Sequence, residues 1–249
     1  AQIGCIESLQ YFLEKGADPD QFDHKGWTAL MYAAQKGHID CINMLLKKGA
    51  DPNQLDHKGL TALMAAANYG HIDCVKALLE NGADPNQFDH KGFTALIFAA
   101  QNEHIDCVDA LLKKEADPNQ SNSVGQTPLM AAADYGHIDC VKALLKNGAD
   151  PNQFDHEGET ALIHASEEGR TNCVDALLEK GADPNQSNFD GRTPLMAAAK
   201  QGHIGCVNVL IKKGAHLNQR DSSGNTAITL AEQNGRLEIV EILQKLLDN

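Results

Sequence analysis

The sequence predicts an all-α solenoid, a row of helix-turn-helix units joined by β-turn or hairpin loops. Three observations carry that expectation. Cys41, Cys74, Cys107, Cys140, Cys173 and Cys206 stand 33 residues apart, and a fixed period of this size marks a repeat array. Around the cysteines the chain repeats two short apolar runs, separated by glycine in every block but that of Cys107, where Glu103 stands. Neither run is long enough to make a stable helix alone, so each pair must bury its apolar flank against the next.

The elements of a block follow in order. Block one opens on a turn at Asp23-His24-Lys25-Gly26, and Thr28 then precedes Leu30, Met31, Ala33 and Ala34. A Thr in that place suits a helix N-cap, and Gly37 suits the C-cap. The Ala-rich first helix is built for close packing. A second helix opens at His38 and Asp40, and its stripe Ile39, Ile42, Leu45 and Leu46 falls on one helical face. Gly49 ends it. Ala50-Asp51-Pro52-Asn53 cannot continue a helix, because proline lacks the N–H and restricts its predecessor.

Laid on this pattern, the chain reads as one domain over 1–249. A partial repeat at 1–22 is followed by repeats at 23–55, 56–88, 89–121, 122–154, 155–187 and 188–220, and a capping repeat at 221–249. The last block is more polar, with Arg236, Glu238, Glu241, Gln244 and Lys245. The chain opens in mid-element without Met, so a fragment of a longer protein is expected. In one column Tyr32, Phe98 and His164 alternate with Ala65, Ala131 and Ala197. That alternation predicts large and small side chains interdigitating between neighbouring repeats.

The motif Asp-x-x-Gly-x-Thr-Ala/Pro-Leu-x-x-Ala-Ala-x-x-Gly-His, then Leu-Leu-x-x-Gly-Ala-Asp-Pro-Asn, resembles the ankyrin repeat. The resemblance covers essentially the whole chain, as six full repeats with partial repeats at both ends. It implies a non-catalytic protein–protein interaction module, an adaptor or scaffold that takes a partner peptide or domain on the concave, turn-tip face. One departure from the family's Thr-Pro-Leu-His is that Met31, Met64, Ile97, Met130, Ile163 and Met196 stand in the His column, which removes the turn hydrogen bonds of that His. The Asp-Pro-Asn segment also resembles sites of asparaginyl hydroxylases, with Asn53, Asn86, Asn119, Asn152 and Asn185 as candidates. The competing reading is that Asn caps its own turn with its side chain.

Composition narrows the function. The formal net charge is -13, which disfavours phosphate backbones, so no nucleic-acid partner is expected. No apolar run approaches the roughly 18 residues of a membrane span, so no membrane insertion is expected. No phosphate-binding glycine loop, His-Glu-x-x-His or Cys-x-x-Cys occurs. The recurring His-x-x-Cys, as at His38 and Cys41, offers two ligands where zinc wants four, and equivalent positions one repeat apart stand roughly 8–10 Å apart. We read its His as opening the helix and its Cys as packing. No catalytic, metal-ligating or cofactor-binding residue is assigned, and no cofactor is expected. The same spacing is too wide for disulfides, and a ladder of reduced thiols points to an intracellular, cytoplasmic or nuclear setting.

Constant columns specify a repeat fold, so variable columns are where a partner is read. The residue after the turn glycine varies as Trp27, Leu60, Phe93, Gln126, Glu159 and Arg192. The pair before the second glycine supplies Lys36, Tyr69, Tyr135, Glu167 and Glu168. Lys25, Lys58 and Lys91 flank the first three tips. These residues form the expected partner site: an exposed apolar row rimmed by lysine, then an acidic stretch, matching a protein or peptide with apolar anchors and a basic segment. A monomer is expected. The alternatives are a regulatory or substrate-recruiting domain of a larger enzyme, a host-targeting effector, or the cytosolic region of a channel.

Overall fold

The computed structural model describes residues 6–248. Among them are fifteen helices and no strand. The chain divides into two compact units, one ending at Ser123 and one beginning at Val124.

In the first unit, α1 (Ile6–Glu14) precedes three helix pairs: α2 (Ala29–Lys36) with α3 (Ile39–Lys47), α4 (Ala62–Asn68) with α5 (Ile72–Glu80), and α6 (Ala95–Gln101) with α7 (Ile105–Lys113). First helices stack on first helices, α2 on α4 on α6, and second helices on second, α3 on α5 on α7. The second unit repeats the scheme with α8 (Pro128–Tyr135) and α9 (Ile138–Lys146), α10 (Ala161–Glu167) and α11 (Thr171–Glu179), α12 (Pro194–Gln201) and α13 (Ile204–Lys212), and α14 (Ala227–Gln233) and α15 (Leu237–Leu247).

Local sequence explains each boundary. Thr28 Oγ1 accepts from the Met31 N–H, and Thr61, Thr94, Thr127, Thr160 and Thr193 cap their helices in the same way. Gly37 takes a left-handed φ of 72° after α2. The predicted stripe of α3 is the core: Ile42 and Leu45 are fully buried, Ile39 and Leu46 half-buried. Burying one such side chain contributes about 1.5–3 kcal/mol. Met31, Met64, Ile97, Met130, Ile163 and Met196, standing in the family's His column, are also buried, so this chain fills that position with packing. In α15 only Ile239 and Leu243 are buried.

One expectation about side chains holds and one is corrected. Histidine opens the second helix without capping it. Instead the His71 ring Nε2 lies 3.0 Å from the Gln35 carbonyl of the preceding repeat, and His104 and His203 reach Asn68 O and Glu167 O likewise. Where Arg170 replaces His, its Nε donates to Asp134 O. Nor does Asn cap its own turn. Asp51 Oδ1 does that by accepting from Asn53 N–H, while Asn53 Nδ2 donates to Gly82 O at 2.9 Å and Oδ1 accepts from Asp84 N–H at 2.8 Å in the next repeat. Asn86, Asn152 and Asn185 make the same clip.

The turns are ladders too. His57 N–H donates to Lys25 O and His90 N–H to Lys58 O, and in the second unit Phe189 N–H donates to Glu157 O. This close approach requires glycine. A Cβ on Gly26, whose φ is 81°, would stand 2.8 Å from the His57 nitrogen.

Candidate functional site

In the first unit the backbone N–H of each tip residue is anchored by the aspartate of its own loop. Asp23 Oδ1 accepts the Lys25 and Trp27 N–H groups, and the Tyr32 hydroxyl donates to Asp23 Oδ2 at 2.8 Å. The Tyr32 hydroxyl, aided by the two backbone donors and opposed by partial burial, holds the Asp23 carboxyl down at about 2. The same bond raises the Tyr32 phenol. The Trp27 ring lies against Tyr32 with centroids 5.0 Å apart, and its Nε1–H donates to Asp56 Oδ2 at 2.9 Å. Asp56 is buried, and its other oxygen accepts the Lys58 and Leu60 N–H groups. Phe93 stacks on Phe98 at 5.3 Å.

Trp27, Leu60 and Phe93 are therefore half-buried, not the exposed row that the sequence suggested. The physical reason is that Trp27 and Phe93 fold back over the loop onto the large residue five positions on, Tyr32 or Phe98. Where that residue is Ala65, a hollow remains. The alternation of large and small thus opens a recess of about 200 Å³, lined by Trp27, Leu60, Ala65, Tyr69 and Phe98. A second depression of about 490 Å³ is lined by Lys25, Trp27, Tyr32, Asp56 and Lys58. Lys25, Lys36, Lys58 and Lys91 are exposed beside the row. Tyr69 is 52% exposed, its ring stacked on His71 and its hydroxyl 3.4 Å from Gln35 Nε2.

The sequence reading missed a second apolar row. Phe22, Leu55 and Phe88, each just before a turn aspartate or the segment leading to it, are 52%, 42% and 58% exposed. The signal lay in the same kind of variation within the chain, because this column also holds Phe154 but Ser121 and Ser187.

In the second unit Gln126, Glu159, Glu167 and Arg192 are half-buried, and Tyr135 and Glu168 exposed. Arg192 pairs with Glu167 at 3.6 Å, which neutralises part of the predicted acidic stretch. Glu159 turns toward His164. The ligand-capable atoms of Asp155, Glu159 and His164 all lie within 4.8 Å of one another. In the sequence alone His164 stands out only as a member of the large-and-small column. The His-x-x-Cys pairs are differently committed. The His71, His104 and His203 rings face carbonyls, and burial pushes the Cys74 and Cys107 thiols up to about 11.

The sequence profile described as ankyrin repeats (3 copies) matches residues 1–56, 49–122, 115–188 and 183–248. Among solved structures the chain is similar to the human ASB11 ankyrin repeat domain, with a TM-score of 0.75 and 32% identity, over 82% of this chain and 92% of that one. Comparison with curated protein sequences found no match. No helix among the described residues is long and apolar enough to cross a membrane.

Proposed function

This chain belongs to the ankyrin repeat family, and on that basis we propose that it is a non-catalytic adaptor or scaffold that binds a protein partner through the turn-tip surface of its first unit. Ankyrin repeats are generally protein–protein interaction modules. The observation that carries the reading is the recess above Ala65, walled by Trp27, Leu60, Tyr69 and Phe98. A preformed apolar hollow ringed by aromatic side chains takes one apolar anchor at little ordering cost. Lys25, Lys58 and Lys91 nearby favour a partner whose anchor is flanked by acidic residues. In the second unit Glu159, Glu167 and Glu168 favour a basic partner segment, with Gln126, Tyr135 and Arg192 as further contacts. The column of buried cysteine side chains supports an intracellular site of action, in the cytoplasm or nucleus, and the chain acts as a monomer.

Peptide display against the full chain tests this. Selected peptides share an apolar anchor with acidic flanks and lose about tenfold or more in affinity for Ala65→Arg, which fills the recess without touching the Trp27–Asp56 bond. Undiminished binding to a folded Ala65→Arg chain, with the same result for Tyr69→Ala, rejects the reading.

A further inference from the structure

The fifth repeat departs from the others at the foot of its turn. In repeat one, Asp23 Oδ2 is satisfied by the Tyr32 hydroxyl, and Trp27 covers the tip. In repeat five the same three columns hold Asp155, His164 and Glu159. Two carboxylates now converge on an imidazole in place of a phenol and an indole. His164 Nε2 lies 3.4 Å from Asp155 Oδ2, and Nδ1 lies 3.9 Å from Glu159 Oε2. Nε2 is buried yet has no hydrogen-bond partner, and a buried polar atom in that state is costly unless something else satisfies it.

Both carboxylates are held in place from behind. Asp155 Oδ1 accepts the N–H groups of Glu157 and Glu159 at 2.9 Å each, which fixes Oδ2 toward the ring. Glu159 Oε1 accepts from Asn188 Nδ2 at 3.0 Å, which fixes Oε2 likewise. The three side chains are 13% to 20% exposed, so they are partly withdrawn from competing water. Arg192 is engaged by Glu167, and among the described residues the basic group paired with Asp155 and Glu159 is His164 itself.

From this grouping we propose that Asp155, Glu159 and His164 form a binding site for one divalent transition-metal ion of the zinc class. An imidazole beside two carboxylates selects such an ion over calcium or magnesium, which prefer oxygen alone. With a single ring nitrogen as ligand, the three ligand atoms lie within 4.8 Å of one another, and an ion whose ligands at about 2.0–2.2 Å stand about 3.3–3.6 Å apart draws them together by up to about 1.2 Å through side-chain rotation. Three protein ligands leave a fourth position for water. The ion ties the turn to α10, as the Tyr32–Asp23 bond ties repeat one.

The test titrates the metal-stripped full chain with Zn²⁺, and with Co²⁺ as an optical probe, near neutral pH. His164→Phe places in this column the side chain that repeat three already carries as Phe98, and Glu159→Gln removes one carboxylate. The wild-type chain binds one ion more tightly than either variant by at least about tenfold, since disturbing even an outer partner of a metal ligand costs that much. Zn²⁺ also shifts the imidazole ¹⁵N resonances that disappear in His164→Phe. Equal affinity in all three chains assigns the binding to other histidines and overturns the site. So does Zn²⁺ leaving the His164 resonances unmoved. Should His164→Phe lose its helical circular dichroism, Glu159→Gln decides alone.

Discussion

Replacing Asn53 by Asp separates two accounts of the Asp-Pro-Asn segment. Were Asn53 a capper of its own turn, Asp would serve equally, since both side chains favour that role. The structure gives the opposite expectation. The own-turn acceptor is Asp51, and Asn53 instead clips the next repeat with one donated and one accepted bond. Asp keeps the acceptor for the Asp84 N–H but loses the donor, and turns a carboxylate oxygen onto Gly82 O. The lost bond is exposed, so its net worth is about 0.5–1.5 kcal/mol. Repulsion from the carbonyl and from nearby Asp51 and Asp84 adds a few tenths, for a total of about 1–2 kcal/mol. Asn53→Ala, which forfeits both bonds, costs about 1–3 kcal/mol. The assay is urea unfolding followed by circular dichroism, comparing midpoints at unchanged slope. Equal stability of Asn53→Asp and wild type, within about 0.3 kcal/mol, would refute the clip.

Two further outcomes follow from single contacts. Glu115 sits at a φ of 62° where Gly49, Gly82, Gly148, Gly181 and Gly214 stand in other repeats. Relief of the left-handed penalty, less the added freedom of the unfolded glycine, makes Glu115→Gly more stable by about 0.5–1 kcal/mol, and a thermal midpoint that fails to rise contradicts this. Tyr32→Phe removes the main cause of the depressed Asp23 carboxyl, so its ¹³C titration moves up from about 2 toward 3.8. Because the folded value lies below the unfolded one, the stability tied to Asp23 is present above about pH 4 and is lost as pH falls through about 2. That slope flattens in Tyr32→Phe.

The repeat and its helices were legible because each is specified locally. Thr28 caps the helix that it precedes, and Ile42 and Leu45 face the core that their spacing implies. What the sequence hid lies between repeats. Asn53 reaches Gly82, 29 residues on, and His71 reaches back 36 residues to Gln35. Periodicity identifies such a column but not whether its side chain turns inward, outward or to a neighbour. The tip column shows the consequence. Trp27 was recognisable as a variable aromatic, yet its exposure depends on Tyr32 and Asp56, with which it packs and bonds. The recess came from Ala65 beside a large neighbour, a feature that volume alternation contained but that needed the fold to become a hollow. Asp155, Glu159 and His164 occupy three columns read separately along the chain, and only the turn brings them together.

The most direct measurement is hydrogen exchange of the full chain with and without a selected peptide. Binding at the turn-tip surface slows exchange of the amides of Trp27, Leu60 and Tyr69 and leaves those of α3, α5 and α7 unchanged. Protection confined to those second helices, with the tips exchanging as before, would contradict the account.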